Sequence, residues 1–147
     1  MKLVVQRVSN ADVKVDGEVT GQIDEGLMVL VGFGVNDTTK EADYLAKKLV
    51  KLRIFQDENG RMNKSVKDIN AKLLLVPQFT LYASTKKNRP SFHKALNPDE
   101  ATELFDYFTE QCRQFVEVET GVFGAYMKVS LLNNGPVTIL LEKEFED

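Results

Sequence analysis

The sequence of 147 residues contains one cysteine, one histidine and no tryptophan. A lone Cys112 excludes an internal disulfide framework and any metal site built from several cysteines. A Ser-His-Asp or Cys-His arrangement would have to use His93, and a zinc site normally needs at least one histidine or several cysteines. We expect Cys112 to be a buried helix residue and His93 to be a solvated loop residue. The sequence therefore predicts neither a metal site nor a cofactor.

Long apolar runs and an excess of positive charge are also absent. No run reaches the roughly 18 residues needed to span a bilayer, and the first residues lack the pattern of a signal peptide, so we expect a soluble cytoplasmic protein without a membrane partner. The net charge of −3 argues against general affinity for DNA or another polyanion. Lys86, Lys87, Arg89 and Lys94 form one local basic cluster, which either holds a phosphate or lies in an ordinary solvated loop.

The sequence does contain 43% hydrophobic residues, with no repeat, low-complexity tract or linker, which fits one domain over residues 1–147. Alternating and β-rich segments predict strands at residues 3–8, 11–15, 18–23, 27–33, 52–55, 73–83, 116–119, 125–132 and 137–143. Thr38 and Glu41 have the spacing of a capping box before a helix that reaches about Lys51. Asn97 and Pro98 begin a second helix that ends near Phe115. We predict an α+β fold in which a largely antiparallel, barrel-like β-layer is covered by two main helices.

The segment Asn134-Gly135-Pro136 lies between two of these predicted strands. Proline lacks the backbone N–H that a sheet requires, and the bond before proline is the one whose cis form costs only about 0.5–1 kcal/mol. Gly135 has no Cβ, so a ligand can approach its backbone closely. Asn-Gly also favours a type I′ hairpin turn. The local sequence therefore predicts a turn, a pocket of carbonyls formed at a cis bond, or a turn whose carbonyls face a ligand.

Five short motifs together resemble one enzyme family over essentially the whole chain. They are Gln6-Arg7-Val8, Pro77-Gln78-Phe79-Thr80-Leu81, Asn88-Arg89-Pro90-Ser91-Phe92, Gly121-Val122-Phe123-Gly124-Ala125 and Asn134-Gly135-Pro136-Val137-Thr138. In this order they closely resemble the D-aminoacyl-tRNA deacylases. The resemblance implies hydrolysis of the ester that joins a D-amino acid, or glycine, to the 3′ terminal adenosine of tRNA. It also implies translation quality control by a homodimer with its active sites at the interface, and no cofactor.

The resemblance implies that Gly135-Pro136 is a cis dipeptide that one subunit inserts into the active site of its partner. Carbonyl oxygens there would meet the α-amino group of the substrate and exclude an L side chain by steric clash, so that glycine is accepted. Arg7 would hold this loop by hydrogen bonds to its carbonyls, although the local sequence alone places Arg7 at the surface. Main-chain N–H groups of Phe79 and Thr80 would polarise the ester carbonyl. The 2′-hydroxyl of the terminal adenosine would activate or position water.

Three side chains near these motifs have more than one interpretation. Thr80 is a tempting nucleophile, but its motif contains no base, so a structural or orienting role is favoured. Gln78 either forms a hydrogen bond within the pocket or lies on a solvated strand face. Phe123 and Met127 either flank the terminal adenine or pack in the core.

One residue departs from the family pattern, which usually has serine where this chain has Pro77. Proline removes a hydroxyl and an N–H at the edge of the expected site. Pro-Gln and Asn-Gly-Pro also resemble a related branch of relaxed chirality that removes L-alanine from mismatched tRNA, whereas Phe79 and Val137 resemble the D-specific pattern. Two further alternatives are a non-catalytic module that binds the tRNA end and a small-molecule esterase that uses Thr80 with His93.

Overall fold

The computed structural model describes residues 1–146. Its strands are β1 (Lys2–Val15), β2 (Glu18–Ile23), β3 (Gly26–Gly32), β4 (Phe55–Gln56), β5 (Met62–Lys64), β6 (Lys72–Pro77), β7 (Val118–Thr120) and β8 (Lys128–Glu142). The α-helices are α1 (Thr39–Lys51) and α2 (Pro98–Arg113), and a single turn of 3₁₀-helix spans Phe79–Tyr82. No helix among the described residues is long and apolar enough to cross a membrane.

Six strands form one curved sheet in the order β2-β1-β3-β6-β7, with β8 paired to the other edge of β1. The long strand β1 is antiparallel to β2, β3 and β8, whereas β6 is parallel to both β3 and β7. The two ends of the sheet approach closely at Gly21 of β2, where an added Cβ would lie 2.6 Å from the carbonyl oxygen of Thr120. The sheet is therefore a nearly closed barrel, which confirms the predicted α+β fold.

The core has two parts that follow the alternation of side chains along the strands. The main cluster packs the sheet against the two helices, which contribute Leu45, Leu49, Phe105 and Phe108 among others. A smaller cluster fills the barrel interior with residues such as Val13, Ile23, Met28, Leu74 and Val76. Both helix starts match their sequence signals: Thr38 and Glu41 form the capping box, and Asn97 accepts a hydrogen bond from the N–H of Glu100.

The predicted hairpin turn at Asn134-Gly135 is wrong, because residues 125–132 and 137–143 do not form two antiparallel strands. Residues on both sides of the Gly-Pro element pair with β1 in the same direction, with Thr138 opposite Gln6 and Asn133 opposite Val8. While β1 advances by two residues, β8 advances by five, so the extra residues bulge out of the ladder. The strand β1 also runs unbroken from Lys2 to Val15 where two strands, 3–8 and 11–15, were predicted, and a second register shift against β8 lies between Val8 and Asn10.

The predicted strand at residues 73–83 ends early, at Pro77, and continues as the 3₁₀-helix. The N–H of Gln78 donates to the carbonyl of Val31 on β3, so the nitrogen of Pro77 faces the β7 side of the sheet. Because β7 ends at Thr120, opposite Leu75, proline loses no ladder partner there.

Other boundaries move by a few residues. Only Phe55 of the predicted strand 52–55 lies in β4, β7 begins at Val118 instead of residue 116, β8 begins at Lys128 instead of residue 125, and α2 ends at Arg113 before Phe115.

Candidate active site

The turn after β6 presents two main-chain N–H groups to solvent. The hydrogen bonds of this 3₁₀-helix begin with the N–H of Leu81, which donates to the carbonyl of Gln78 at 3.3 Å. The N–H groups of Phe79 and Thr80 precede that bond and have no acceptor within residues 1–146. Both residues are exposed. Two unpaired donors on adjacent residues can therefore meet an oxygen of a ligand.

Gly32 of β3 makes this turn possible. A Cβ at Gly32 would lie 2.9 Å from the Cβ of Leu81 and 3.0 Å from the carbonyl oxygen of Gln78. The hydrogen bond from Gln78 to Val31, of 2.8 Å, fixes the start of the turn on the same strand. The position of the two free donors is thus set by contacts with β3.

The side chain of Thr80 has an amide, not a base, as its partner. Its hydroxyl accepts a hydrogen bond from the Nε2 of Gln78. His93 is exposed, and its Nδ1 lies 3.2 Å from the Oγ of Ser91. An amide cannot accept the proton of a nucleophilic hydroxyl. This arrangement lacks the hydrogen-bonded Thr80–His93 pair that a threonine esterase would need, and it places Gln78 against Thr80.

The Phe79 ring connects the turn to the basic loop. Phe79 is 54% exposed and forms an edge-to-face contact with Phe92, with 4.9 Å between ring centroids. The loop before Phe92 is closed by a bridge between Ser84 and Ser91. This loop carries Lys86, Lys87 and Arg89, all of them exposed. The sequence motif contained Phe92, but only the structure shows that it contacts Phe79.

Met127 and Phe123 are both partly buried and pack against different core clusters, Met127 against the smaller one and Phe123 against the main one. The sulfur of Met127 accepts a hydrogen bond from the N–H of Val122 at 3.4 Å and lies 2.8 Å from the position of a Cβ on Gly121. The same point on Gly121 is 3.7 Å from the ring of Pro77, so Met127 lies beside the start of the turn. Phe123 packs on the main core, with its ring centroid 6.4 Å from that of Phe105.

The Gly135-Pro136 peptide bond is cis, and Gly135 has a φ of 137°, a backbone conformation that L-residues with a side chain rarely adopt. The Arg7 side chain is 7% exposed, so its predicted surface position is wrong. Its Nε donates to the carbonyl of Asn134 at 2.9 Å, and its NH1 group donates to the carbonyl of Ile54 at 2.7 Å. A single buried guanidinium thus joins the Gly-Pro element to the segment after α1, a partner that no sequence signal at Ile54 indicated.

A second hydrogen bond fixes the other side of the element, where the N–H of Val137 donates to the Oδ1 of Asn133 at 3.0 Å. Gly135 and Pro136 themselves are exposed. Hydrogen bonds therefore hold the Gly-Pro element at Asn134 and Val137, whereas Gly135 and Pro136 face solvent.

The two halves of the expected site lie far apart within one chain. Gln78 is bonded to Val31, which pairs with Leu3 of β1, whereas the Gly-Pro element contacts Arg7. Along β1, Leu3 and Arg7 are four residues apart, or about 13 Å. Across the sheet, β6 and β8 are separated by three strand spacings, or about 14 Å. The structure brings Gln78, Phe79, Thr80 and Met127 together at one place, and Arg7, Gly135 and Pro136 at another.

The remaining candidate groups are inert or dispersed. Burial raises the pKa of the Cys112 thiol to about 12, so Cys112 remains a buried thiol at neutral pH, as predicted. Among residues 1–146, no three His, Cys, Asp or Glu side chains lie close enough together to hold a metal ion.

Comparisons with known proteins identify the family and support the fold. The family model described as D-Tyr-tRNA(Tyr) deacylase matches residues 4–142. The structure is similar to that of "c-Myc DNA Unwinding Element Binding Protein", with a TM-score of 0.94 and 43% sequence identity over 99% of this chain and 100% of that chain. It also shares the fold of "a probable eukaryotic D-amino acid tRNA deacylase", with a TM-score of 0.82 and 18% identity over 95% of this chain and 97% of that chain. The chain therefore belongs to the D-Tyr-tRNA(Tyr) deacylase family, a family of hydrolases whose activity is the deacylation of D-aminoacyl-tRNA.

Proposed function

We propose that this protein hydrolyses the ester of D-aminoacyl-tRNA, and of glycyl-tRNA mischarged on tRNA-Ala, in an active site built from two copies of the chain. The observation that carries the proposal is the separation of the two halves within one chain. Free N–H donors lie after β6, and the braced Gly-Pro element lies on β8 at the far side of β1. The reacting carbonyl and the α-amino group of one ester are too close together to reach both halves of a single copy.

One copy supplies the electrophilic half of the site. The N–H groups of Phe79 and Thr80 point towards the ester carbonyl and stabilise the oxyanion that forms when water attacks. A single donor of this kind is worth on the order of 3 kcal/mol in the transition state. The attacking water is positioned by the 2′-hydroxyl of the terminal adenosine, because the turn offers only the amide of Gln78 beside the Thr80 hydroxyl.

The other copy supplies the chirality check. Its Gly135 and Pro136 enter the partner's site, where their carbonyl oxygens accept hydrogen bonds from the α-amino group. An L side chain would collide with this wall, whereas a D side chain points away and glycine has no side chain to collide. Hydrogen bonds from Arg7 and to Asn133 hold the Gly-Pro element in a fixed position, because rejection of a side chain by steric clash requires a rigid obstacle.

The outer strand β8 supports a two-fold dimer. It is 15 residues long, and among the described residues it pairs with β1 alone. Leu132 and Leu140 on this strand are 57% and 67% exposed. A long edge strand with exposed leucines is normally covered by another element or another chain. A second copy would cover this surface and deliver the Gly-Pro element at the same time.

The terminal nucleotide binds beside Pro77. Met127 contacts the adenine there, and Phe123, whose ring packs on Phe105, contributes only its exposed part. The basic loop joined to Phe79 by Phe92 contacts a neighbouring phosphate. The partner is RNA and not DNA, since the mechanism uses a 2′-hydroxyl. The structurally similar protein of 43% identity is named for binding a DNA element, and single-stranded DNA therefore serves as a competitor in the experiment.

The experiment compares hydrolysis of D-Tyr-tRNA, L-Tyr-tRNA and Gly-tRNA by metal-free protein, with and without excess DNA. The variant Gly135→Ala places a Cβ 2.8 Å from the Cγ2 of Val137 and 2.9 Å from the NH2 group of Arg7. Gly17→Ala is the matched control, because Gly17 also has a positive φ of 81° but nothing within 4 Å.

We expect the wild type and Gly17→Ala to cleave the D and glycyl esters, to spare the L ester and to ignore DNA. Gly135→Ala should lose most of this activity or its discrimination. Cleavage of the L ester by the wild type would instead indicate the relaxed branch suggested by Pro77. Binding of tRNA without turnover would indicate a non-catalytic module, and inhibition by DNA would contradict an RNA-specific site.

A further inference from the structure

A basic groove runs along the exposed face of α1. It has a volume of about 580 Å³ and is lined by one acidic residue, Asp43, by Tyr44 and Leu52, and by the four cationic residues Lys47, Lys48, Lys51 and Arg53. All four cationic side chains are exposed. The helix dipole accounts for lysines in the last turn of α1, such as Lys48 and Lys51. It does not account for Lys47 and Arg53 facing the same groove.

The four cations of this groove outnumber its one carboxylate, Asp43, which accepts a hydrogen bond from the neutral hydroxyl of Tyr107. Within residues 1–146, no carboxylate oxygen lies within 4.0 Å of the ammonium nitrogen of Lys47, Lys48 or Lys51. The acidic side chains of residues 40–68 all have other hydrogen-bond partners; they are Glu41, Asp43, Asp57, Glu58 and Asp68. In a chain with a net charge of −3, four cations beside a single carboxylate in one groove indicate an anionic partner.

Arg53 shows how such a cation can be held in place without losing its charge. Its Nε donates to the carbonyl of Asn63 at 2.9 Å, and its NH2 group donates to the Oδ1 of the same residue. Asn63 is neutral, so these bonds orient the guanidinium and leave its positive charge available. A planar guanidinium fixed in this way is suited to a phosphate.

The Arg53 end of the groove is linked to the Gly-Pro element through the neighbouring Ile54 and Arg7. Arg53 precedes Ile54, whose carbonyl accepts a hydrogen bond from Arg7, and the same guanidinium holds Asn134. In the proposed dimer, the Gly-Pro element enters the partner's active site. The groove beside it therefore faces the tRNA bound to the partner.

We propose that this groove binds backbone phosphates of the tRNA whose aminoacyl end occupies the partner's active site. The inference rests on the proposed function. It means that each tRNA contacts both subunits: one subunit binds the ester carbonyl, and the other performs the chirality check and binds the acceptor stem. Phosphate contacts position a nucleic acid without reading its sequence. The groove therefore contributes affinity for many tRNAs and has no role in the chemistry at the ester.

The test neutralises two lysines and compares a long with a short substrate. The groove variant is Lys47→Gln with Lys51→Gln. The control is Lys14→Gln with Lys72→Gln. It removes the same charge from two exposed positions, Lys14 near the end of β1 and Lys72 at the start of β6. The substrates are D-Tyr-tRNA and the D-tyrosyl ester of adenosine, and binding of uncharged tRNA is measured by filter binding at several salt concentrations.

We expect the groove variant to bind uncharged tRNA about 10-fold more weakly at 0.1 M salt, with the slope of log Kd against log salt reduced by about 1 to 2. KM for D-Tyr-tRNA should rise to match, whereas kcat and hydrolysis of the short ester stay unchanged. A variant with Lys47→Arg and Lys51→Arg should bind like the wild type. Equal behaviour of groove and control variants, or loss of short-ester hydrolysis in the groove variant, would overturn the inference.

A wild type that cleaves neither substrate would refute the proposed function separately, and the binding data would still decide whether the groove holds tRNA.

Mixed dimers test whether the groove binds the tRNA that occupies the partner's active site. Phe79→Pro removes one donor, so a dimer with this change in one subunit keeps one working site, which uses the Gly-Pro element of the changed subunit. Groove substitutions on that subunit should raise KM, and the same substitutions on the other subunit should not. The opposite result would overturn the proposal.

Discussion

At the scale of single residues, Arg7 is the side chain on which the Gly-Pro element depends most directly. We predict that Arg7→Lys lowers stability by about 1–3 kcal/mol, because one ammonium group cannot reach both carbonyls that the guanidinium fork holds. Hydrolysis of D-Tyr-tRNA should fall by at least about 10-fold, since the element loses its fixed position. Urea unfolding and kcat measurements check both effects.

Arg113→Lys is the control for this change, since Arg113 is exposed, pairs with Glu110 and makes only one long bond, of 3.4 Å, to the carbonyl of Val118. It should leave stability within about 0.5 kcal/mol of the wild type. If Arg7→Lys behaved like Arg113→Lys, the guanidinium would not be needed to hold the element.

Main-chain and side-chain roles at the turn can be separated residue by residue. Thr80→Val keeps the N–H and the shape but removes the hydroxyl, so we expect kcat to change by less than about 10-fold, because a nucleophile would be worth far more. Phe79→Pro removes an N–H at the first position of the 3₁₀-helix, where proline fits, and should lower kcat by about 100-fold. Single-turnover hydrolysis of D-Tyr-tRNA measures each effect.

Two controls complete that series. Phe79→Ala loses the ring but keeps the N–H, so the difference between it and Phe79→Pro reports the donor alone. His93→Ala should change kcat little, because His93 contacts Ser91 and not Thr80. A large loss in both Thr80→Val and His93→Ala would reveal a side-chain nucleophile after all.

At the scale of elements, the position of the 3₁₀-helix depends on the absence of a side chain at Gly32. We predict that Gly32→Ala displaces the turn, because the new methyl meets the Cβ of Leu81 and the carbonyl of Gln78. Overpacking of this kind costs about 1–3 kcal/mol, and misplaced donors should lower kcat by a further 10- to 100-fold, on the order expected for a displaced catalytic group. Steady-state kinetics and urea unfolding measure the two losses.

Val29→Ile serves as the comparison, since it adds a methyl to a buried position of the same strand but on the main core. It should reduce stability and leave kcat near that of the wild type. Equal losses of kcat in both variants would mean that general strain in β3, and not the turn, limits activity.

The start of α1 contains a carboxylate whose ionisation stabilises the fold. Burial alone would raise the pKa of Glu41, but hydrogen bonds from backbone N–H groups, including those of Thr38 and Phe145, lower it below its ordinary value. Because the pKa of Glu41 is lower in the folded state than its ordinary value of 4.5, ionised Glu41 stabilises the fold at every pH above 4.5. This contribution is lost as the pH falls through the pKa of the folded state.

We therefore predict that Glu41→Gln is less stable than the wild type by about 1–2 kcal/mol at neutral pH, because the charged acceptor is lost. The difference should shrink as the pH falls below 4.5. Urea unfolding at a series of pH values measures it, with exposed Glu103→Gln as the control. A difference that stays constant down to acid pH would show that the charge of Glu41 is not responsible.

At the scale of the whole molecule, a site shared between two chains makes activity depend on protein concentration. We predict that activity per chain falls on dilution below the dimer dissociation constant, because isolated chains lack the partner's Gly-Pro element. Sedimentation and single-turnover assays over the same concentrations check this expectation. Unchanged activity per chain in a solution shown to be monomeric would refute the two-chain site.

The helix starts and the family were readable from the sequence because each depends on local or linear information. Thr38 and Glu41 lie three residues apart, Asn97 stands directly before Pro98, and both caps form as predicted. The motif order was enough to indicate the deacylase family, which the family model confirms. Cys112 was predicted to be buried from the apolar spacing around it, and it is.

Long-range pairing decided what the local sequence could not. Asn134-Gly135 favours a hairpin by local preference, yet β1 offers a partner on both sides of it, so the chain runs straight on as a bulged strand. The β-rich segment after Pro77 becomes a 3₁₀-helix where β7 has already ended and where Gly32 of β3 leaves room for the turn. Arg7 is buried because two distant carbonyls converge on it.

The sequence by itself thus determined the burial of Cys112, the helix boundaries at their N-termini and the motifs of the family, since periodicity and capping act over a few residues. Only the tertiary structure decided that the Phe79 turn and the Gly-Pro element lie on different sides of β1. That separation follows from strand order, which is set by pairing between residues more than 100 positions apart, such as Gln6 and Thr138. No local pattern records such a pairing, because its free energy arises only when the whole sheet has formed.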